Sequence, residues 1–220
     1  IANNYANKGE YLICEKILDS IENQKVPLII KGDIYRVRSI NRYRNNCFQD
    51  AKQYIDSARF YYSKSKHSIF EHSYVYTNSG LIESKLNNYD LALNFLDSAA
   101  FILFGNNLTP SSFKLNIESI FILINKSNIL SEKAIAENNL SIAYTAYDEF
   151  IKIESLLHKF NTEDKLSLLT NKDYHNNFYF SIIKLCSYIY YKTNNSMWLG
   201  VMLNYINKYK SEELIRQKKM

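Results

Sequence analysis

The chain is predicted to be all-α, a stack of antiparallel helix hairpins. Three observations predict this class. A sparse pattern of small and bulky residues recurs along the chain, only five Gly and two Pro interrupt its 220 residues, and paired asparagines separate the helical segments. With 46% hydrophobic residues, a stack of four or five hairpins can bury a continuous core.

The recurring pattern has four positions, filled by a bulky, a small, a bulky and then a small or bulky residue. Its copies are Tyr11, Cys14, Leu18, Ile21; Phe48, Ala51, Ile55, Ala58; Tyr89, Ala92, Leu96, Ala99; and Leu140, Ala143, Tyr147, Phe150. A small residue precedes each copy by nine positions: Ala2, Ser39, Gly80 and Ser131. Small residues let the two helices of a hairpin approach closely, and bulky residues fill the space between hairpins.

The helices follow in order from this pattern and from the breakers between them. Pro27 suits the first turn of a helix, Thr109 and Pro110 form an N-cap followed by a first-turn proline, and each Asn-Asn pair can adopt the left-handed conformation that ends a helix. The predicted helices span about residues 10–23, 27–43, 47–63, 65–86, 89–104, 109–137, 140–160, 174–192 and 197–220, with a short helical turn at 163–169.

These helices are predicted to form one repeat domain over residues 1–220. Residues 1–26 are a partial first repeat, residues 27–65, 66–108 and 109–161 are three full repeats, and residues 162–220 are a degenerate C-terminal hairpin with a capping helix. The chain begins at Ile1, and Ala2 already occupies the middle of a repeat's first helix. We therefore expect a fragment of a larger protein.

Composition and motifs argue against several function classes. The net charge of +5 is too mild to indicate nucleic-acid binding by itself, and the three cysteines show no CxxC spacing. No phosphate-binding glycine loop occurs, and His67 and His72, five residues apart, project from different sides of a helix. No apolar run is long enough to cross a membrane. We therefore predict no enzyme activity, no cofactor, no metal and no membrane span.

The pattern resembles that of the tetratricopeptide repeat family, in a divergent form. Gly80, Tyr89, Ala92, Leu96 and Ala99 match the family motif in order. The copy from Ser39 to Ala58 matches nearly as well, whereas Phe150 replaces the last alanine of the third copy. Successive small residues are spaced by 37, 41 and 51 positions instead of the family's regular interval. The resemblance covers about residues 1–150 and implies a right-handed superhelical array.

The resemblance implies a non-catalytic scaffold that binds a protein or peptide along a concave groove. Carried over by position, the groove residues are Asp33, Arg36, Ile40, Tyr43 and Arg44; Tyr74, Thr77, Leu81, Ser84 and Lys85; and Asn125, Asn128, Glu132, Ile135 and Ala136. All of these except Asp33, Ser84, Ile135 and Ala136 are the eleven predicted site residues. The lysine and asparagine clamp of chaperone-binding members is absent. Bacterial regulators that place such repeats beside a kinase, a DNA-binding module or a membrane helix offer an analogy, so a cytoplasmic location and a periplasmic sensor portion both remain open.

Two alternative functions rest on local features. Four of the six arginines are Arg36, Arg38, Arg42 and Arg44. Arg36 and Arg44 share a helix face with Ile40 and Tyr43, which suits an anion or nucleic acid, whereas Arg38 and Arg42 lie on another side. The same arginines could instead pair with Asp33, Asp50 or Asp56. The second alternative is an oligomerisation subunit that uses the aromatic stretch 178–191, which is otherwise predicted to be core.

Overall fold

The computed structural model describes residues 11–65, 69–105, 117–157 and 172–217. These residues form nine helices and no strand: α1 Tyr11–Glu22, α2 Leu28–Arg44, α3 Phe48–Ser63, α4 Ile69–Lys85, α5 Tyr89–Phe104, α6 Ile117–Ala136, α7 Leu140–Leu157, α8 Lys172–Thr193 and α9 Met197–Gln217. The prediction of an all-helical chain is thus confirmed for the described residues. Ala2, the Thr109-Pro110 cap and the turn at 163–169 lie outside them.

The chain forms two compact units, residues 1–110 and 111–220. In unit 1, α2 pairs with α3 and α4 pairs with α5, while α1 packs on α2, α3 packs on α4, and α2 contacts α4. In unit 2, α6 pairs with α7 and α8 pairs with α9, and α8 contacts both α6 and α7. Neighbouring helices therefore pack in pairs, as the hairpin pattern predicts.

Each pair is closed by an asparagine with positive φ. The four residues are Asn46, Asn87, Asn138 and Asn194, with φ between 51° and 63°. In the first three turns the N–H of the following residue bonds to a carbonyl five residues back, a Schellman cap: Cys47 to Arg42, Asn88 to Glu83 and Asn139 to Ala134, each at 2.9 Å. In the fourth turn Asn194 N–H bonds to the Tyr190 carbonyl at 2.8 Å, the simpler left-handed cap.

The start of α2 differs slightly from the sequence prediction. Pro27 stands at the N-cap with φ −57° and ψ 154°, so the helix begins one residue later, at Leu28. The extended ψ keeps Pro27 out of the first turn, while its carbonyl accepts the N–H of Lys31 at 3.1 Å.

Close helix crossings within unit 1 depend on the small residues of the pattern. The Ser39 hydroxyl donates a hydrogen bond to the Ala51 carbonyl at 2.8 Å in the crossing of α2 with α3. At the equivalent position in α4, a Cβ on Gly80 would lie 2.9 Å from the Ala92 carbonyl oxygen. The crossing at Gly80 is therefore too tight for a larger side chain, and serine suits the crossing at Ser39 because its hydroxyl bonds to the facing backbone.

The core of unit 2 explains why the copy that begins at Leu140 has a bulky last residue. Phe150, where two other copies have Ala58 and Ala99, is fully buried, and its ring packs edge-on against Phe178 of α8 with centroids 5.6 Å apart. Most of the stretch 178–191 is also core, including the buried side chains Phe178, Tyr179, Ile182, Leu185, Cys186 and Ile189. Phe180 and Tyr191 are its large exposed exceptions.

Candidate functional site

Two helices of unit 1 carry eight of the eleven predicted site residues. Arg36, Ile40, Tyr43 and Arg44 lie on α2, and Tyr74, Thr77, Leu81 and Lys85 lie on α4. Thr77, Leu81 and Lys85 occupy the repeat positions of Arg36, Ile40 and Arg44, and Tyr74 lies about one turn before Thr77. Periodicity places each set on one face of its own helix, and the two helices contact each other. We call these eight residues together the inner face.

The inner face has an apolar part. The Tyr74 side chain is 45% exposed, and Ile40 and Leu81 are half-buried. Phe70, one turn before Tyr74 on α4, is also exposed and was missed from the sequence. Phe70 lies 41 residues after Ile29, and each of the two lies one turn before the first predicted groove residue of its helix. This repeat spacing could have indicated Phe70.

The polar residues of the inner face differ in their contacts with other residues of the chain. Tyr43 packs edge-on against Phe48, with ring centroids 5.6 Å apart, and the Thr77 hydroxyl donates to the Ser73 carbonyl at 2.9 Å. Arg44 and Lys85 are exposed in the last turns of α2 and α4, where a cation also suits the helix dipole, and each makes a contact within the chain. They give this end of the inner face a basic character.

Arg36 is held in a cluster with Asp33 and Tyr62. Its Nε donates to the Tyr62 hydroxyl oxygen at 3.4 Å and its Nη2 to Asp33 Oδ1 at 3.2 Å, while the Tyr62 hydroxyl donates to the same Oδ1 at 2.7 Å. Burial and the hydrogen bond to Asp33 raise the pKa of Tyr62, so its hydroxyl remains a donor at neutral pH. Arg36 is therefore positioned, but Asp33 largely neutralises its charge.

Arg38 is buried against an acidic stripe on α1. Its Nε lies 3.3 Å from Glu15 Oε2, while its Nη1 and Nη2 each lie 2.5 Å from the carboxylates of Glu22 and Asp19, respectively. The guanidinium also lies 5.7 Å from the centre of the Tyr35 ring. This arginine thus joins α1 to α2.

The arginine contacts only partly follow the pairings considered from the sequence. Arg36 does pair with Asp33, but Asp56 pairs with Arg59 of its own helix at 3.0 Å. Arg38 and Arg42 face α1, and Arg42 Nη2 lies 3.9 Å from Glu15 Oε1. The acidic stripe was missed, although the spacing of Glu15, Asp19 and Glu22 by four and three residues places all three on one helix face.

The same contacts predict a pH dependence of stability. Burial favours a higher pKa for Glu22, but hydrogen bonds from Arg38 and Tyr35, with charge from Arg38 and Lys31, outweigh it and lower the pKa below 4.5. A lowered folded-state pKa stabilises the fold above the unfolded value and loses that contribution as the pH falls through the folded value. We expect the urea concentration at the midpoint of unfolding to decrease as the pH is lowered below about 4.5. Glu22→Gln should make this decrease smaller. An equal decrease in both chains would contradict this assignment.

The other three predicted site residues lie on α6 in unit 2. Asn125 is buried, and Asn128 and Glu132 are half-buried, all on one side of the helix. Within the described parts of the chain, the Asn128 Oδ1 atom is buried without a hydrogen-bond partner. This side of α6 is therefore polar, unlike the aromatic part of the inner face.

The histidines and acidic side chains bear on metal binding and catalysis. No group of three or more His, Cys, Asp or Glu side chains within the four described segments could hold a metal ion. His67 and His158 lie outside these segments, and the His72 ring packs edge-on against Tyr76. In the described part of the chain, no helix has the length and apolar character needed to span a bilayer.

Comparison with known proteins gave no relative. No protein-family model matches the chain, and neither the curated proteins nor the solved structures contain a significant match.

Proposed function

We propose that the chain is a non-catalytic scaffold of tetratricopeptide-repeat type that binds a protein or peptide segment on the inner face. The observation that supports this proposal best is the contact between α2 and α4, because both helices carry partly exposed apolar side chains at matched repeat positions. Ile40 and Leu81 are such a matched pair, and Tyr74 and Phe70 extend the apolar area along α4. A right-handed superhelical arrangement of the repeats is part of this proposal.

The charges of the inner face favour one kind of peptide. Arg44 and Lys85, at equivalent ends of α2 and α4, favour an acidic residue beside apolar ones. The alternative of nucleic-acid binding through residues 36–44 has less support, because Arg36, Arg38 and Arg42 all contact carboxylates of the chain. Oligomerisation through the stretch 178–191 also has less support, because most of its large side chains are buried in unit 2.

A displayed library of random dodecapeptides, selected on the full 220-residue chain, tests the proposal. We expect apolar peptides with acidic residues to be enriched, and Tyr74→Ala combined with Leu81→Ala to weaken their binding at least about tenfold, or ~1.4 kcal/mol, by fluorescence anisotropy. The matched control is Tyr191→Ala with Leu203→Ala, which removes exposed side chains of unit 2 and should leave the affinity within about twofold.

Two results would count against an inner-face peptide site. One is a selection without enrichment. The other is a set of enriched peptides that bind the Tyr74 and Leu81 variant as tightly as the unchanged chain. Salt-sensitive oligonucleotide binding that disappears in Arg36→Ala with Arg44→Ala would favour the nucleic-acid alternative instead.

A further inference from the structure

The second helices of unit 1 carry a repeated exposed stripe, which we call the outer stripe. It consists of four residues on α3 and the four equivalent residues on α5, 41 positions later: Gln49, Gln53, Asp56, Phe60 and Asp90, Asn94, Asp97, Phe101. All eight are exposed, and the two phenylalanines are 58% and 52% exposed. One exposed phenylalanine is ordinary, but two at the same repeat position on exposed stripes suggest an interaction surface.

Packing does not require phenylalanine at this position. The equivalent stripe on α7 is Ser141, Thr145, Asp148 and Lys152, all exposed. Lys152 occupies the phenylalanine position and pairs with Glu149 of its own helix, at 2.7 Å. The hairpin therefore forms with a solvated lysine there, and Phe60 and Phe101 need another explanation.

One side-chain contact joins α3 to α5 next to the outer stripe. The Arg59 guanidinium lies 4.9 Å from the centre of the Phe95 ring of α5, so the two helices approach each other beside the outer stripe. Arg59 directly precedes Phe60, and Phe95 lies between Asn94 and Asp97 of the second copy. The two copies of the outer stripe thus flank a direct contact between α3 and α5.

The outer stripe has the chemistry of a site for basic side chains. Its charged members are Asp56, Asp90 and Asp97. Asp56 pairs with Arg59 of its own helix at 3.0 Å, so the copy on α5, with two aspartates, is the more acidic. The Phe60 ring already receives a cation, since Lys64 Nζ lies 6.0 Å from its centre. Each copy thus places an aromatic ring one turn from an aspartate, an arrangement that suits a lysine or arginine next to apolar groups.

We propose that the outer stripe binds a basic, apolar segment of a partner protein, by cation–π contact with Phe60 and Phe101 and by charge attraction to Asp90 and Asp97. The charge complementarity is local, because the chain as a whole carries +5 and repels a basic peptide. The same aspartates repel phosphate groups, so the surface does not suit a nucleic acid. The site is separate from the inner face and does not depend on its function.

Two fluorescent dodecapeptides of equal length and leucine content test the proposal, one with lysine and one with glutamate at the polar positions. With the full chain at low salt, we expect the lysine peptide to bind and the glutamate peptide not to bind at the outer stripe. Phe60→Gln with Phe101→Gln should weaken binding of the lysine peptide at least about tenfold, and Asp90→Asn with Asp97→Asn should also weaken it. Tyr191→Gln with Met197→Gln, which changes exposed side chains of unit 2, should alter the affinity by less than about twofold.

The proposal is overturned if the lysine peptide does not bind, or if the phenylalanine variant binds it as tightly as the unchanged chain. If the glutamine variant does not fold, Phe60→Lys with Phe101→Lys replaces it, because Lys152 occupies the same position on α7. Tyr74→Ala with Leu81→Ala should leave the lysine peptide unaffected. If Tyr74→Ala with Leu81→Ala abolished binding of the lysine peptide while Phe60→Gln with Phe101→Gln did not, the binding would belong to the inner face and the outer-stripe proposal would be refuted.

Discussion

Arg38→Met is expected to lower the free energy of unfolding by about 2–3 kcal/mol, one of the two largest effects predicted for the chain. The methionine fills a similar volume but leaves the carboxylates of Glu15, Asp19 and Glu22 close together without their shared cation. Breaking a buried ion pair costs about 3–5 kcal/mol, and partial hydration of the three acids reduces the effect. Urea unfolding followed by circular dichroism measures the loss, and amide exchange should show it first in α1 and α2.

A matched variant separates this effect from the removal of any surface charge. Lys152→Met removes an exposed lysine that pairs with Glu149 within one helix turn. Such pairs contribute about 0–1 kcal/mol, so this variant should unfold nearly as the unchanged chain does. Equal losses from the two variants would mean that the contacts between Arg38 and α1 contribute little to stability.

Gly80→Ala is expected to destabilise the chain by about 1–3 kcal/mol, although alanine is the better helix former. The added Cβ would lie 2.9 Å from the Ala92 carbonyl oxygen and 3.0 Å from Leu96 Cγ. The first of these neighbours is backbone, so relief requires α4 and α5 to separate. Thermal unfolding by circular dichroism gives the direction and size of the change.

Gly200→Ala provides the opposite case in the same chain. Gly200 is exposed in α9, and a Cβ there would meet no atom within 4 Å. Alanine should then stabilise the chain by about 0.5–1 kcal/mol, because it restricts the unfolded backbone. If both substitutions changed the melting temperature in the same direction, the contact between Gly80 and Ala92 would not be the cause.

The sequence predicted local features better than contacts between distant residues. Asn46, Asn87 and Asn138 were recognisable as helix ends because asparagine accepts the left-handed conformation without help from the rest of the fold. Helix periodicity also placed Arg38 on a different side from Arg36. It could not name the partners of Arg38, because they come from another helix whose packing depends on the whole unit.

The candidate surfaces show the same limit. The groove residues follow from the position of each residue in the repeat, but their exposure follows from packing, and Asn125 is buried where Tyr74 is exposed. The recurrence of Phe60 and Phe101 was visible in the sequence at the 41-residue offset. The sequence alone did not identify it as a surface feature, because a bulky residue on the opposite side of the helix can also belong to a core.

The left-handed asparagine turns have a consequence for how the chain acquires its fold and tolerates change. Each cap is made by residues no more than five apart, so a hairpin can close before contacts with other hairpins exist. Local closure favours rapid folding, hairpin by hairpin. Because each turn within a hairpin is fixed by its own local hydrogen bonds, residues inserted between hairpins need not disturb the turns. The unequal spacings of 37, 41 and 51 residues between successive small residues agree with such differences in length between repeats.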